Sequence, residues 1–249
     1  MKRRFIYFSL ILLGCLLNFS SYAEHGKHTY QKVKNSVVKV LPTWPGYQRP
    51  GYGAPPGVAP EGSGFFISPT LMPDIGTHYV ATAAHVINKA ISVKIEHRDG
   101  TREEVELLGF DIKRDIAILK TNSEGVSVFV KDLAHPEIGS HVCALGNPFG
   151  LGSSFSCGVV SGLNRKVGFQ EIEEFIQTDV AINPGMSGGA LVDEDGFLIG
   201  MINSIFTKDA DINAGVNFVT PNNQLFDGII ASYPNFCSVE KVSKLLTKC

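Results

Sequence analysis

The sequence predicts an all-β protein, built either as a sandwich or as a pair of barrels. About a dozen short apolar segments recur along the chain, and turn-forming residues separate them. The segments do not alternate with predicted helices, as they would in a protein with a parallel sheet. The composition agrees, because 26 Gly and 13 Pro among 249 residues, with only 18% charged residues, are typical of a turn-rich globular protein.

The predicted elements follow one another closely along the chain. An amphipathic segment at residues 28–40 is expected to form a short helix that runs into a strand. Residues 43–62, rich in Gly, Pro and aromatic side chains, are expected to be a surface loop, either a plain spacer or a flap over a cleft. Hairpin turns are expected at 99–100 and 194–196, and a helix at 221–230. Further strands are expected at 64–67, 78–83, 92–97, 103–111, 116–121, 141–145, 156–163, 175–178, 190–192, 197–206 and 215–219.

The first 23 residues are expected to be a signal peptide. A Lys-Arg-Arg run at 2–4 precedes an apolar stretch of roughly a dozen residues, and Ser21 and Ala23 are small enough for signal peptidase. Two alternatives stay open: acylation of Cys15 within a lipoprotein box, and an uncleaved anchor. Each of them takes the chain out of the cytoplasm, so a periplasmic or secreted protein is predicted.

The charge of the chain argues against nucleic acid as a partner. The formal net charge is −2 and the pI about 6.4, and the Lys and Arg residues are scattered rather than clustered. Neither C-x-x-C nor H-x-x-x-H spacing occurs, so no metal site is expected. No sequence feature calls for a cofactor either.

Four cysteines remain beyond the predicted cleavage site. An even number in an exported protein indicates disulfide bonds, although buried free thiols are the alternative. Cys143 and Cys157 are equally far from Gly150, so they would face each other in a hairpin centred there. Cys237 and Cys249 would then close a short C-terminal loop. Three pairings are formally open, and this one is preferred.

One glycine-rich run carries a candidate nucleophile, Ser187, between Gly185 and Gly189. A serine hydroxyl needs a base and a group that stabilises the developing oxyanion. Glycines around it allow the backbone to aim two N–H groups at one point, here those of Gly185 and Ser187. A lone G-x-S-x-G is weak evidence, but no histidine follows residue 187, which excludes the strand–Ser–helix order of the α/β-hydrolases.

His85 and Asp115 are the candidate partners of this serine. His85 follows the small and apolar residues 80–84 and therefore lies at the end of a predicted strand. Asp115 directly precedes the apolar run 116–119, and a carboxylate at such a place needs a partner such as a histidine N–H. Asp111 is the local competitor, and a role in a strand-entry turn is the alternative for either aspartate.

Four motifs together resemble the protease domain of the HtrA/Deg serine proteases, over residues 28–223. The motifs are TAAHV at 82–86, DIAILK at 115–120, ALGNPFGLG at 144–152 and FIQTDVAINPGMSGG at 175–189. The resemblance implies a chymotrypsin-like fold of two six-stranded antiparallel barrels, roughly 24–130 and 131–235, with the active site between them. His85 and Asp115 would then come from the first barrel and Ser187 from the second.

The resemblance also implies an ATP-independent endopeptidase that acts on unfolded or misplaced envelope proteins through an acyl-enzyme. Ala181 would lie at the base of the specificity pocket, and the segment from Asn203 to Ile205 would form a wall. With no acid at the base, small aliphatic side chains are expected before the scissile bond. The rival interpretation is a peptide-binding or chaperone-like protein on the same fold with weak or gated catalysis; an esterase on another fold has the wrong motif order.

The chain departs from the family at Met186, at Ala190, where relatives usually carry Pro, and towards its C-terminus. Met186 stands where relatives usually carry Asn or Asp. Residues 236–249 are expected to form a C-terminal tail, and no PDZ domain is expected in this chain. A homotrimer through N-terminal aromatic residues is one assembly that the resemblance implies, and Tyr30, Trp44 and Tyr47 are the candidates.

Overall fold

The structure is a computed structural model and describes residues 21–46, 61–67, 78–131, 136–167, 174–205 and 215–232. Within these ranges twelve strands form two closed barrels of six antiparallel strands each, which confirms the predicted fold class. Most of the predicted signal peptide lies outside the described residues, as do Tyr47, Cys237 and Cys249. None of the helices in the described ranges is long and apolar enough to cross a membrane.

The first barrel has the strand order β1-β2-β3-β6-β5-β4. Its strands are β1 (Val37–Thr43), β2 (Gly62–Phe66), β3 (Tyr79–Ala83), β4 (Ser92–Glu96), β5 (Arg102–Asp111) and β6 (Ile116–Lys120). Strand β3 is buried at every position and β6 at every position but the last, because they lie between other strands and under apolar neighbours. Strand β4 alternates between buried and half-buried residues, as expected for a strand with one face towards the core.

The second barrel has the strand order β10-β11-β12-β9-β8-β7. Its strands are β7 (His141–Gly146), β8 (Ser154–Arg165), β9 (Phe175–Thr178), β10 (Ala190–Asp193), β11 (Leu198–Ile205) and β12 (Asn217–Pro221). A separate apolar cluster fills it, with Val142, Ile176, Leu191 and Val219 fully buried. Each barrel therefore carries its own core.

The described residues also include three α-helices: α1 (Ser21–Val33), α2 (Ala84–Ile87) and α3 (Asn222–Ser232). Helix α1 precedes the first barrel but contacts the second, since Lys32 donates a hydrogen bond to the Asp195 carbonyl at 2.8 Å. Helix α3 follows the second barrel and packs on the first, where a Cβ on Gly228 would lie 2.4 Å from Ile116. Each barrel is thus covered by a helix that comes from the other end of the chain.

The local predictions agree closely with these elements. The segment 28–40 is a helix followed by strand β1, and the predicted helix at 221–230 is α3. The two hairpin turns contain Gly100 and Gly196, both at a φ of 87°. The short helix α2 was not predicted. Of the predicted loop 43–62, residues 47–60 lie outside the described part of the chain.

The predicted hairpin with a central turn near Gly150 is formed by β7 and β8. Cys143 and Cys157 are paired in its register and joined by a disulfide bond, which confirms the first of the two predicted pairs. Trp44 is 2% exposed, so it lies within the packing of its own chain. The predicted contact between copies therefore depends on Tyr30 and Tyr47.

Candidate active site

His85 lies in helix α2, directly after strand β3 of the first barrel. The flanking Ala83 and Ala84 are buried, and their small side chains let the backbone turn there. The His85 side chain is 45% exposed, and its Nδ1 lies 2.6 Å from Asp115 Oδ2. Because an ionised carboxylate only accepts hydrogen bonds, Nδ1 is the donor in this contact.

Asp115 precedes β6 in a tight turn and adopts a positive φ of 56°, which is uncommon for a residue other than glycine. Its carboxylate accepts from the His85 backbone N–H at 2.7 Å, from the His85 ring at 2.6 Å and from the Asn203 amide at 3.1 Å. Two of these donors belong to His85 in the first barrel and one to Asn203 in the second, and together they fix the orientation of the carboxylate.

Asp111, the competing aspartate, has a different role. Its carboxylate accepts from the backbone N–H groups of Lys113 and Arg114 and forms an ion pair with the Arg114 guanidinium at 2.7 Å. These contacts stabilise the turn between β5 and β6. Asp111 is therefore a structural residue, and the histidine pairs with Asp115.

Ser187 lies in the segment between β9 and β10, which we call the serine loop (residues 183–189). Two glycines of this loop have positive φ values, 95° at Gly185 and 83° at Gly188. A Cβ at Gly188 would lie 2.2 Å from the Ser63 carbonyl oxygen, so only glycine fits there. The serine loop consequently lies directly against strand β2 of the first barrel.

The serine hydroxyl does not contact the imidazole in this state. Ser187 Oγ is hydrogen-bonded to the Asn203 carbonyl oxygen at 3.0 Å. Among the described residues no hydrogen bond joins Ser187 to His85. The structure therefore brings His85, Asp115 and Asn203 into one network, and Ser187 joins it through the backbone of Asn203.

From Gly185 to Gly189, the backbone of the serine loop leaves two N–H groups without an acceptor among the described residues. Those of Met186, Gly188 and Gly189 donate to carbonyls at distances of 2.8–3.0 Å. Within the described part of the chain, the N–H groups of Gly185 and Ser187 have no acceptor. Buried or half-buried N–H groups without a partner are rare in folded proteins, and here they are the two predicted oxyanion donors.

The predicted pocket residues differ in their surroundings. Ala181 is exposed, and its carbonyl accepts from Ser156 Oγ at 2.9 Å. Asn203 is 1% exposed, and its side-chain amide is directed at Asp115 rather than along a pocket wall. Ile205 pairs with Asn217 in the sheet. The preference for small aliphatic side chains stays a prediction.

Sequence reasoning missed two contributors to this site. Asn203 was predicted as a pocket residue, not as a hydrogen-bond donor to Asp115. Ser63, fully buried in β2, was not singled out, although it contacts the serine loop through both its N–H and its hydroxyl. The signal was present in the glycines on either side of Ser63, because glycine inside a strand often marks the close approach of another backbone.

One cluster of side chains has the composition of a metal site. The ligand atoms of His141, Cys143 and Cys157 lie within 4.8 Å of one another. The two sulfur atoms, however, are joined in the disulfide bond, so neither is a thiolate that could bind a cation.

Comparison with known proteins finds similarity to serine proteases. Residues 62–201 match the family described as "Trypsin-like peptidase domain". The chain is 38% identical over 167 residues to a probable periplasmic serine endoprotease DegP-like protein of Halomonas elongata, covering 67% of this chain and 34% of that protein. It is 37% identical over 155 residues to the periplasmic serine endoprotease DegP of Escherichia coli K12, covering 61% and 32%.

Solved structures agree with these matches. The HtrA-type protease AlgW with a tripeptide superposes with a TM-score of 0.69 at 29% identity, covering 81% of this chain and 61% of that one. A serine endoprotease from Yersinia pestis gives 0.65 at 26% identity, covering 90% and 67%. The chain spans about a third of the length of the curated relatives it matches. Its two barrels are similar to the protease domain of HtrA-type proteases, and the chain belongs to the trypsin-like peptidase domain family.

Proposed function

We propose that the chain is a serine endopeptidase in which Ser187 is the nucleophile, His85 the general base and Asp115 the residue that orients the histidine. The observation that carries the proposal is the pair of N–H groups, at Gly185 and at Ser187 itself, for which the described residues offer no acceptor. Two such donors beside a serine are what a tetrahedral oxyanion requires. The hydrogen bond of 2.6 Å between His85 and Asp115 supports the rest.

The proposed reaction follows the serine-protease scheme. His85 Nε2 takes the Ser187 proton while Oγ attacks the peptide carbonyl carbon. The carbonyl oxygen becomes an oxyanion and accepts hydrogen bonds from the Gly185 and Ser187 N–H groups. The imidazolium then protonates the leaving amine, and water hydrolyses the acyl-enzyme. Asp115 stabilises the imidazolium without taking its proton.

One side-chain movement precedes this reaction. The Ser187 hydroxyl is bonded to the Asn203 carbonyl and has to turn towards His85 Nε2. A rotation about the single Cα–Cβ bond is a fast motion, on the picosecond to nanosecond timescale in exposed side chains. Peptide binding along β11 would compete for the same Asn203 carbonyl and release the hydroxyl.

A fluorophosphonate probe tests the assignment, because it modifies only an activated serine. The wild-type chain should be labelled and should cleave casein, whereas Ser187→Ala and His85→Ala should do neither. His78→Ala is the matched control, since the His78 ring contacts only the backbone carbonyl of Ser123 and an exposed carboxylate among the described residues. Undiminished labelling of Ser187→Ala, or of His85→Ala, would refute the assignment.

The second candidate function is that of a peptide-binding or chaperone-like protein with weak or gated catalysis. The bond from Ser187 to Asn203 favours it, because the hydroxyl is not yet in place. This candidate predicts that the wild-type chain binds an unfolded protein without cleaving it and that Ser187→Ala binds equally well. Cleavage by the wild type alone decides for the endopeptidase.

Substrates, location and assembly are part of the same proposal. We expect unfolded or misplaced envelope proteins as substrates, with small aliphatic residues before the scissile bond. Export by the signal peptide at 1–23 would place the protease domain, residues 24–235, in the periplasm or outside the cell, and residues 236–249 would follow as a tail. The relatives named as periplasmic support this location. A homotrimer stays a prediction.

A further inference from the structure

Ser63 of the first barrel makes four hydrogen bonds, and two of them hold the serine loop. Its N–H donates to the Ser187 carbonyl at 2.9 Å, and its hydroxyl donates to the Gly185 carbonyl at 2.8 Å. The same hydroxyl accepts from the Asn147 N–H at 2.8 Å, and the Ser63 carbonyl accepts from Thr82 Oγ1 at 2.7 Å. Ser63 is fully buried, so no water competes for these bonds.

We propose that Ser63 is a positioning residue for the oxyanion donors, an inference that depends on the endopeptidase function proposed above. Ser63 does not touch the reacting atoms. It holds the carbonyl groups at Gly185 and Ser187, the two residues whose N–H groups bind the oxyanion in that proposal. These bonds fix the peptide planes 185–186 and 187–188, which lie on either side of the plane 186–187 that carries the Ser187 N–H, so the orientation of that donor is coupled to the first barrel through its neighbours.

The geometry of the serine loop supports this role. The carbonyls of four consecutive residues, 184–187, all accept a hydrogen bond: from Phe149, Ser63, Gly189 and Ser63 in that order. A peptide plane is rigid and joins the carbonyl of one residue to the N–H of the next. The bonds from Phe149 and Gly189 therefore fix the planes that carry the two donor N–H groups, and the bonds from Ser63 fix the plane that follows each of them. Ser63 supplies half of these bonds and is the only contributor, among the described residues, that comes from the other barrel.

Asn147 connects Ser63 to a second segment that supports the serine loop. The Ser63 hydroxyl, which donates to the Gly185 carbonyl, also accepts a hydrogen bond from the Asn147 N–H. The side-chain carbonyl of Asn147 in turn accepts from the Gly152 N–H at 2.8 Å. The side-chain N–H of Asn147 also donates to Glu61 at 3.3 Å. The turn at 147–152, which includes the Phe149 N–H that binds the Pro184 carbonyl, is therefore tied to the same strand as Ser63. Loss of the Ser63 hydroxyl would therefore remove both the bond to the Gly185 carbonyl and the bond that holds the turn at 147–152.

The test is Ser63→Ala, which removes the hydroxyl and keeps the backbone N–H. Ser127→Ala is the matched control: Ser127 is buried in the same barrel, and its hydroxyl donates to the Ile67 carbonyl at 2.9 Å, away from the serine loop. Both variants lose one buried hydroxyl donor, so both should be less stable. Activity is measured on folded protein, at a temperature where circular dichroism shows each variant to be native.

We expect kcat of Ser63→Ala on a peptide substrate to fall about tenfold or more, with KM nearly unchanged, because the lost support acts in the transition state. A peptide boronic acid, which mimics the tetrahedral intermediate, should bind more weakly by a similar factor. Ser127→Ala should match the wild type in both. A purely structural role would lower the unfolding temperature without this separation of kcat from KM.

Two results would overturn the proposal: a kcat of Ser63→Ala equal to that of Ser127→Ala, or a loss confined to KM. If Ser63→Ala does not fold, Thr82→Val takes its place, since it removes the bond that holds the Ser63 carbonyl and retains the side-chain shape. An unchanged kcat in that variant would also count against the proposal. Failure of the endopeptidase proposal is distinguishable, because the wild type itself would then neither cleave the peptide nor bind the boronic acid.

Discussion

Replacing Glu103 with Gln should destabilise the first barrel through a single carboxylate. The Glu103 side chain is 14% exposed and lies 2.8 Å from His97 Nε2. It also accepts from Thr121 Oγ1 at 3.0 Å and from the Asn122 N–H at 2.9 Å. Burial alone would raise the pKa of Glu103, but the hydrogen bonds from His97 and from residues 121–123 outweigh it and lower the pKa to about 2.

The magnitude follows from linkage between protonation and folding. A fall from the ordinary 4.5 to about 2 in the folded state corresponds to about 3 kcal/mol of stability, at ~1.4 kcal/mol for each pKa unit. Because the pKa is lowered, this contribution is fully present above pH 4.5 and is lost as the pH falls towards 2. At pH 3 roughly half of it should already be gone.

Urea denaturation of the wild type and of Glu103→Gln, repeated from pH 7 down to pH 3, measures this contribution. The difference in the free energy of unfolding should be up to about 3 kcal/mol at pH 7 and should shrink as the pH is lowered. Glu104→Gln, an exposed neighbour on the same strand, is the control and should change stability by less than about 0.5 kcal/mol. A difference for Glu103→Gln that is absent at pH 7, or that does not depend on pH, would refute the reasoning.

The disulfide between Cys143 and Cys157, 14 residues apart, should contribute about 3 kcal/mol, measured by urea denaturation of the Cys143→Ala, Cys157→Ala double variant; equal midpoints for both proteins would contradict this. Asn203→Ala removes one of three donors to Asp115 and should lower kcat about tenfold with the protein still folded, whereas an unchanged kcat would exclude a positioning role. Gly188→Ala should abolish fluorophosphonate labelling, because a Cβ there would lie 2.2 Å from the Ser63 carbonyl at a φ of 83°; normal labelling would show that the loop can shift.

Most of the fold could be predicted because its signals are local. Apolar segments, Gly100 and Gly196 in tight turns, and two cysteines equally far from Gly150 each depend on a few neighbouring residues. The short helix α2 escaped prediction because four residues carry too little periodicity to be seen in a sequence.

The direction of the Asn203 side chain could not be predicted, and the reason is a change of register. Strands β11 and β12 shift their pairing between Ile202 and Ser204. Such an irregularity changes which face of the sheet a side chain points to, and nothing in the local sequence marks it. Asn203 therefore reaches Asp115 across the barrel interface, 88 residues away, where the resemblance alone implied a pocket wall.

The burial of Met186 explains how the serine loop tolerates an apolar residue where relatives usually carry Asn or Asp. Met186 is 1% exposed and belongs to the apolar core of the second barrel, and its Cβ lies 3.1 Å from where a Cβ on Gly146 would be. A polar side chain in that place would need a buried hydrogen-bond partner, whereas the methionine is stabilised by packing alone. Its side chain points into the core, and the N–H groups on either side of it, at Gly185 and Ser187, have no acceptor in the described part of the chain. The substitution therefore leaves both backbone donors available, and it attaches the loop to the second barrel while Ser63 attaches it to the first.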